Sequence, residues 1–495
     1  MNNTTVLIIG AGPVGLTLAC EMARRKVPFR IIERSAAAPQ GSRAKGVQPR
    51  SLEILNDLGI AEELVAAGQT DLPYRKFSGS QLVGETPRSI FMRHDTRYPK
   101  VLLLPQYEVE KALRDKLSEL GGRIEWATEL TDFTQTNNKI TCRLEHPNWI
   151  EELTCTYIVA CDGGKSSVRK KLGINFLGET HQQEQLWVGD VEVEGLKPDA
   201  WYNWLSPEFG LAFALFPFKE SNSWQLQAVM PPDSDGNIPP PTLEGFNELF
   251  AARTGMKGIM FTSSTWQSTY RVNVRRADRY RVGNAFIAGD ACHVHSIAGG
   301  LGMNTGIQDA YNLGWKLAAV IDGKANNILL DTYEEERIPI ADQLLKTTSE
   351  RQRVMINAAT AGKGAFETLA SNDGTQLNLN YRNSSLTVKN EGMQANVQAG
   401  DRAPDARLTD GSWLSAQLNG IEWKLLVFGK AEAINITNLK IINVNDNVLF
   451  DIYGLSNGLI LIRPDGYIAL IAIRSAEINK FFDQLLQNKP AVADF

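Results

Sequence analysis

A glycine turn near the start of the chain constrains the fold more than any other stretch. Thr5 to Ile9 is a short apolar run rich in β-branched residues, which reads as a buried strand. Gly10-Ala11-Gly12-Pro13-Val14-Gly15 follows, then a Leu-, Ala- and Met-rich helix over Leu16 to Arg25 and a second strand over Val27 to Glu33. Strand, turn, helix and strand in about 30 residues make a βαβ unit. Its crossover is almost always right-handed and builds a parallel sheet. In such a turn Gly10 permits the tight bend, Gly12 lets the backbone approach a pyrophosphate, and Gly15 lets helix and strand close together. Free N–H groups at the helix start attract the anion. Glu33, 18 residues beyond Gly15, is placed to accept from ribose hydroxyls. Alone, the pattern is a weak signal and a structural turn would explain it. With strand, helix and acid in place it predicts a bound dinucleotide.

The rest of the chain reads as α/β, with a change of character near residue 176. Before it, helices are expected over Arg50 to Leu58 and Glu108 to Leu120, each closed by glycine, and strands over Arg123–Glu125, Ile140–Leu144 and Tyr157–Cys161. After it, Trp224, Leu226 and Ala228 alternate with Gln225, Gln227 and Val229. That period of two predicts an antiparallel sheet with one polar face. A capped helix over Thr242 to Arg253, a buried strand over Ala285 to Ala288 and helices over Thr305 to Ile321 and Asp331 to Arg353 follow. The expected division is a cofactor-binding domain of residues 1–175 and 271–370, a sheet domain of residues 176–270, a polar linker of residues 371–399, and a small α/β tail of residues 400–495.

Composition excludes several classes. With 51 Lys and Arg against 56 Asp and Glu, the net charge of −5 lacks the basic footprint of a nucleic-acid binder. The five cysteines include no C-x-x-C pair, which argues against a disulfide framework or a zinc ribbon and for a reducing, cytoplasmic setting. The apolar run ending at Cys20 lacks a basic leader and is broken by glycine and proline, so it is not read as a secretion signal. No apolar run reaches the roughly 20 residues that span a bilayer.

Two further motifs end strands. Cys161-Asp162-Gly163-Gly164 follows the Tyr157 strand; Gly289-Asp290-Ala291-Cys292-His293 follows the Ala285 strand and leads to Gly299-Gly300-Leu301-Gly302-Met303-Asn304. Acidic residues at the ends of parallel strands face the ligand crevice. A helix N-terminus near Gly302 would favour an anionic, reduced flavin ring. The three motifs in this order, with Arg43-Ala44-Lys45-Gly46 and Leu104-Pro105-Gln106, resemble the FAD-dependent aromatic hydroxylases, the single-component flavoprotein monooxygenases. The likeness spans about residues 4–355. The tail, through Gly400-Asp401-Arg402-Ala403-Pro404-Asp405 and Arg463-Pro464-Asp465-Gly466, is similar to the thioredoxin-like domain of phenol and polyketide hydroxylases.

The resemblance implies a Rossmann-like FAD domain interleaved with an antiparallel-sheet substrate domain, and a thioredoxin-like tail without C-x-x-C. It implies bound FAD, with NAD(P)H and O2 as co-substrates, and hydroxylation of a phenolic or polycyclic ring through a flavin C4a-hydroperoxide. Gly10, Gly12, Pro13, Gly15, Glu33, Arg34, Arg43, Gln106, Leu130, Asp162, Asp290, Gly300, Leu301, Gly302, Met303 and Asn304 would hold the cofactor. Trp204, Phe213, Trp224, Tyr270, His295 and Ile297 are the expected substrate pocket, although aromatics form cores first. No catalytic base is assigned. His293-x-His295 lacks an acidic partner or H-E-x-x-H context, so no metal is expected. Ser296-Ile297 replaces the usual prolines and Leu301 the usual Gln or Met, so pocket and ring mobility are expected to differ from the family pattern. The partner is a small aromatic molecule, and the chain is a monomer or homodimer. Two rival readings remain: oxidation of a non-phenolic polycycle such as an antibiotic, and a flavin-binding interaction protein. No W-x-W-x-I-P halogenase signature is present.

Overall fold

The structure is a computed structural model that describes residues 2–38, 41, 44–87, 93–136, 139–206, 210–219, 221–230, 237–295, 300–357, 374–389, 394–430, 434 and 436–486. The first sheet grows outward from the strand Asn2–Ile9. Phe29–Ile32 and Ile124–Glu125 lie in parallel on one side, and Ile150–Ala160 and Ala285–Ile287 in parallel on the other. Val6, Leu7 and Ile8 are all buried. A parallel strand covered on both faces has no polar alternation. The hairpin of Glu129–Thr136 and Lys139–Glu145 extends this sheet antiparallel to the first half of Ile150–Ala160. Helices Pro13–Arg24, Gln106–Glu119 and Gly302–Ile321 complete the domain. The last begins three residues before the expected Thr305. Its start is fixed by tertiary contacts: Thr305 N–H donates to the buried Leu301, and the Asn304 side chain is anchored outside the helix.

The second sheet has eight strands. In spatial order they are His293–Val294, Met260–Ala277, Phe176–Glu194, Ser223–Val229, Gly210–Pro217, Trp201–Ser206, Tyr74–Ser78 and Gln81–Thr86. The last two come from far upstream, and Tyr74–Ser78 is the one that pairs in parallel, with Trp201–Ser206. Their sequence carries little strand signal because Leu82 and Val83 are exposed. Residues opposite one another in a ladder point to the same face. On one face Trp187, Tyr202, Trp204, Phe213, Leu215, Trp224 and Leu226 pack on Phe246 and Phe250 of the helix Leu243–Thr254. The register places Trp266, Asp190, Gln225 and Phe216 in a row on the other face, with Val188, Gln227, Ala214 and Asn203 in the next. The expected solvated face is not solvated. Gln225 is 0% and Gln227 5% exposed, because the first domain covers them.

The tail sheet runs Leu439–Val444, Trp423–Phe428, Gly458–Ile462, Ile468–Ala472, the first pair parallel and the rest antiparallel. It docks on the helix Gly302–Ile321, whose Trp315 meets Trp423 edge-on at 5.5 Å. Residues 374–389 of the polar connecting segment lie against both, with Leu377, Tyr381 and Leu386 buried. A charged cluster closes this joint. Glu336 accepts from Lys316 at 2.7 Å and from Arg463 at 2.6 Å, and Arg463 reaches Asp465 at 2.6 Å.

Candidate active site

The glycine turn closes the top of the first strand. Gly10 has φ +100°, and a Cβ there would stand 2.5 Å from the Cys161 carbonyl oxygen. A Cβ at Gly15 would overlap the Gly10 carbonyl oxygen, so helix and strand meet only because both are glycine. Gly12 differs, since a Cβ there would have nothing within 4 Å. Pro13 opens the helix Pro13–Arg24, where a missing N–H costs nothing. The Glu33 carboxylate is held at the turn by Ala11 N–H and Ser35 N–H, both at 3.0 Å. Arg34 is exposed. Thr128 N–H donates to the Glu33 carbonyl at 3.0 Å, which lays the backbone leading to Leu130 along the same edge. Leu130 itself is buried in the domain core.

The other two motifs converge on the same edge. Asp162 ends the neighbouring strand, where its Oδ2 accepts from Ser167 N–H at 2.9 Å. Its Oδ1 is buried and has no partner among the described residues. Asp290 is exposed at the end of Ala285–Ile287. Beneath it, Asp309 accepts from Gly289 N–H at 3.1 Å, from Arg337 at 2.7 Å, and contacts His293 Nε2 at 2.7 Å. Burial alone would raise the Asp309 carboxyl, but Arg337 and His293 hold it below the usual carboxylate range. This dyad is the local explanation for His293.

The Leu301-Gly302-Met303-Asn304 segment forms the start of a 20-residue helix. Asn304 staples it to the upstream loop, since its Oδ1 accepts from Gln48 N–H at 2.8 Å and its Nδ2 donates to Gly46 at 2.9 Å and Gly300 at 2.8 Å. Gly300 has φ +61° with open space around it. His295 stands against Gly302, and Tyr270 donates its hydroxyl to the His295 carbonyl at 2.6 Å. Gln106 does a bracing job: its Oε1 accepts from Ala44 N–H at 3.1 Å and its Nε2 donates to Glu110 at 2.7 Å. Arg43 and Ile297 lie outside the described residues.

The polar face of the second sheet lies over this edge. A Cβ at Gly41 would run into Trp266, Lys45 Nζ stands 3.9 Å above the Phe216 ring, and Leu103 packs with Trp201, Ala214 and Phe216. Tyr270 belongs to this face, with Leu186 and Val188. Trp204, Phe213 and Trp224, expected in the pocket, belong instead to the packed core on the opposite face. Their alternation was read correctly, but the buried apolar face turned out to be the one away from the crevice. Asp190, Gln225 and Gln227 lie on the face turned toward the first domain, where Lys45 meets Phe216; this was missed, because a buried glutamine on a strand is indistinguishable in sequence from a solvated one.

The donor set fits FAD. Gly12 leaves room for a pyrophosphate, the Asp162 Oδ1 offers an unused acceptor, and Asp290 and a long helix N-terminus converge at the ends of three parallel strands. A family model described as an FAD binding domain matches residues 3–348. The chain belongs to the FAD-dependent aromatic monooxygenases. A flavin-dependent monooxygenase of Mycobacteroides abscessus is 39% identical over 475 residues, covering 94% of this chain and 97% of that one. The 6-methylpretetramide 4-monooxygenase of Streptomyces rimosus is 34% identical, covering 95% and 91%. Among solved structures, the OxyS anhydrotetracycline hydroxylase of Streptomyces rimosus superposes with a TM-score of 0.77 at 29% identity, covering 95% and 96%. This monooxygenase therefore oxidises an aromatic compound with FAD as cofactor and NAD(P)H and O2 as co-substrates. No described helix is long and apolar enough to cross a membrane.

Proposed function

We propose that this monooxygenase hydroxylates a phenolic or polycyclic, polyketide-like ring held between the Leu301–Asn304 segment and the polar face of the second sheet. The observation that supports this reading best is that face itself. Buried Asp190, Gln225 and Phe216 stand in a row, with Gln227 donating to Gln225 at 2.9 Å, so the face joins polar and aromatic groups above the cofactor edge. Ligand sites combine an apolar lining with a few such polar groups. Bound FAD supplies the reduction of dioxygen and the oxygen transfer. The chain's own residues bind and enclose. Glu33 would hold the adenosine ribose, Gly12 and Asp162 the pyrophosphate, and Asp290 the ribityl chain. Leu301, Gly302 and Met303 would lie along the ring system. The aromatic rim of Trp266, Phe216 and Trp201 excludes water from the reacting atoms.

The test is to purify the protein, record its visible spectrum and follow NADPH and NADH oxidation with phenols and polycyclic aromatics. A gain of one oxygen in the product supports the reading. A colourless protein that does not take up FAD overturns it. The same products distinguish oxidation of a non-phenolic antibiotic, and a flavoprotein that no aromatic stimulates would favour an interaction role. Five cysteines without a disulfide support a cytoplasmic setting. Monomer or homodimer is to be decided by light scattering.

A further inference from the structure

The tail's turn Arg463-Pro464-Asp465-Gly466-Tyr467 closes over two helices of the cofactor domain. Helix Pro49–Asp57 supplies Arg50, which donates through Nη2 to the Asp465 carbonyl at 2.6 Å and through Nη1 to Glu53 at 2.8 Å. Helix Gly302–Ile321 supplies Gln308 and Asn312. Between them lies a cavity with about 10 Å³ of room for the centre of a water molecule, lined in part by these three residues and Tyr467. That is about the space one water needs. Four atoms of the lining are buried and bond no protein group among the described residues: Arg50 Nε, Tyr467 Oη, Gln308 Oε1 and Asn312 Oδ1. None of the four residues is more than 5% exposed. Their amides are oriented by what the other end does. Asn312 Nδ2 donates to Glu336 at 2.7 Å and to Asp465 at 3.3 Å; ionised carboxylates only accept, so Oδ1 turns the other way. Gln308 Nε2 donates to Gln376 Oε1 at 2.8 Å, and Gln376 Nε2 donates to Thr305 at 2.9 Å. Arg50 Nε is always a donor, and a phenol hydroxyl can be one. The cavity therefore presents two donors and two acceptors.

We propose that this cavity binds one structural water, which donates to Gln308 Oε1 and Asn312 Oδ1 and accepts from Arg50 Nε and Tyr467 Oη. Water is the ligand whose own two donors and two acceptor sites match that set. A metal ion would stand against the Arg50 guanidinium, and a halide against two amide oxygens. The water joins three parts of the chain at one point: the tail through Tyr467, helix Pro49–Asp57 through Arg50, and helix Gly302–Ile321 through Gln308 and Asn312. Gln308 and Gln376 carry the bonds on to Thr305, directly after the Leu301–Asn304 segment. The tail is thereby keyed to the start of that helix, a role for the Tyr467 turn that needs no redox cysteines and does not depend on which substrate is oxidised.

The first test is a high-resolution crystal structure of the full wild-type chain. One density peak of water weight is expected about 2.7–3.2 Å from each of the four atoms. The same crystals are soaked in rubidium chloride and in sodium bromide. An anomalous peak from either ion at this point would make it an ion site and overturn the proposal, and so would the absence of any peak. Tyr467→Phe gives a check in solution whose sign differs between the two cases. Phenylalanine keeps the ring that packs against the Arg50 guanidinium at 5.0 Å and Tyr381 at 4.1 Å, so only the hydroxyl is lost. If that hydroxyl bonds a water, its removal leaves the water a partner short. The Tm is then expected to fall by about 1–2 °C, the scale of one hydrogen bond in a chain this long. If the hydroxyl bonds nothing, deleting a buried, unsatisfied group raises the Tm. A raised or unchanged Tm in Tyr467→Phe would overturn the proposal.

Discussion

At the scale of single residues, the glycine turn separates binding from folding. Gly12 and Gly15 lie three residues apart, yet an added methyl meets nothing at the first and the Gly10 backbone at the second. Gly12→Ala is therefore expected to fold with an unchanged Tm and to lose most of its FAD, because the methyl fills the approach of the pyrophosphate. Gly15→Ala is expected to melt several degrees lower, since helix and strand must separate. Thermal melts of the apoproteins with flavin content by absorbance check both, and equal Tm losses would refute the contrast. This part of the site was legible in the sequence because its chemistry is local: the turn, the acid after the second strand and the helix start all sit on one βαβ unit. The contact of Lys45 with Phe216 was not legible. The two residues stand 171 positions apart, and no local pattern carries that information.

At the scale of elements, the strand Ser223–Val229 carries two jobs on two faces. Trp224 fills the core against Tyr202, with ring centroids 5.8 Å apart, and Gln225 lies on the opposite face, toward the cofactor domain. Trp224→Ala is expected to cost about 3–5 kcal/mol of stability through the cavity it leaves. Gln225→Leu, a similar volume, removes the acceptor to which Gln227 Nε2 donates at 2.9 Å, so it is expected to cost about 1–3 kcal/mol, less than Trp224→Ala, and to alter substrate preference and KM. Chemical denaturation and kinetics on the two variants check the assignment of faces, which is wrong if the effects are exchanged. The strands themselves were legible from their period. Which face met the cofactor domain was not, since both faces are buried and only packing decides between them. The helix Gly302–Ile321 makes a related point. Asn304 bonds to Gln48, Gly46 and Gly300 from complete burial. Leaving those groups unsatisfied in Asn304→Ala costs about 1–3 kcal/mol. The loss should appear as weaker FAD binding by fluorescence titration, because the staple sets the loop beside the ring.

At the scale of the whole molecule, the tail is bonded to the cofactor domain through charge as well as apolar surface. Lys316, Glu336, Arg463 and Asp465 are all buried, and Asn312 and Ser384 add hydrogen bonds to Glu336, each at 2.7 Å. Burial alone would raise the Glu336 carboxyl, but Arg463 and Lys316 hold it well below the usual range. Burial of Lys316 wins over its partners and brings it down to about 8. A carboxylate with a depressed folded pKa stabilises the fold at pH above its unfolded value, roughly 4.3. That stabilisation is lost as pH falls from there through the folded value. Glu336→Gln leaves buried cations without their anion, at a cost of about 3–5 kcal/mol. The difference in Tm between wild type and Glu336→Gln should thus be full at pH 7 and shrink steadily below about pH 4. A gap that stays constant down to pH 3 would mean that the carboxylate charge is not what holds the joint. Because the network spans both domains, the wild type should also melt in one calorimetric transition. Two separated transitions in the wild type would show that the tail folds and unfolds independently of the domain it covers.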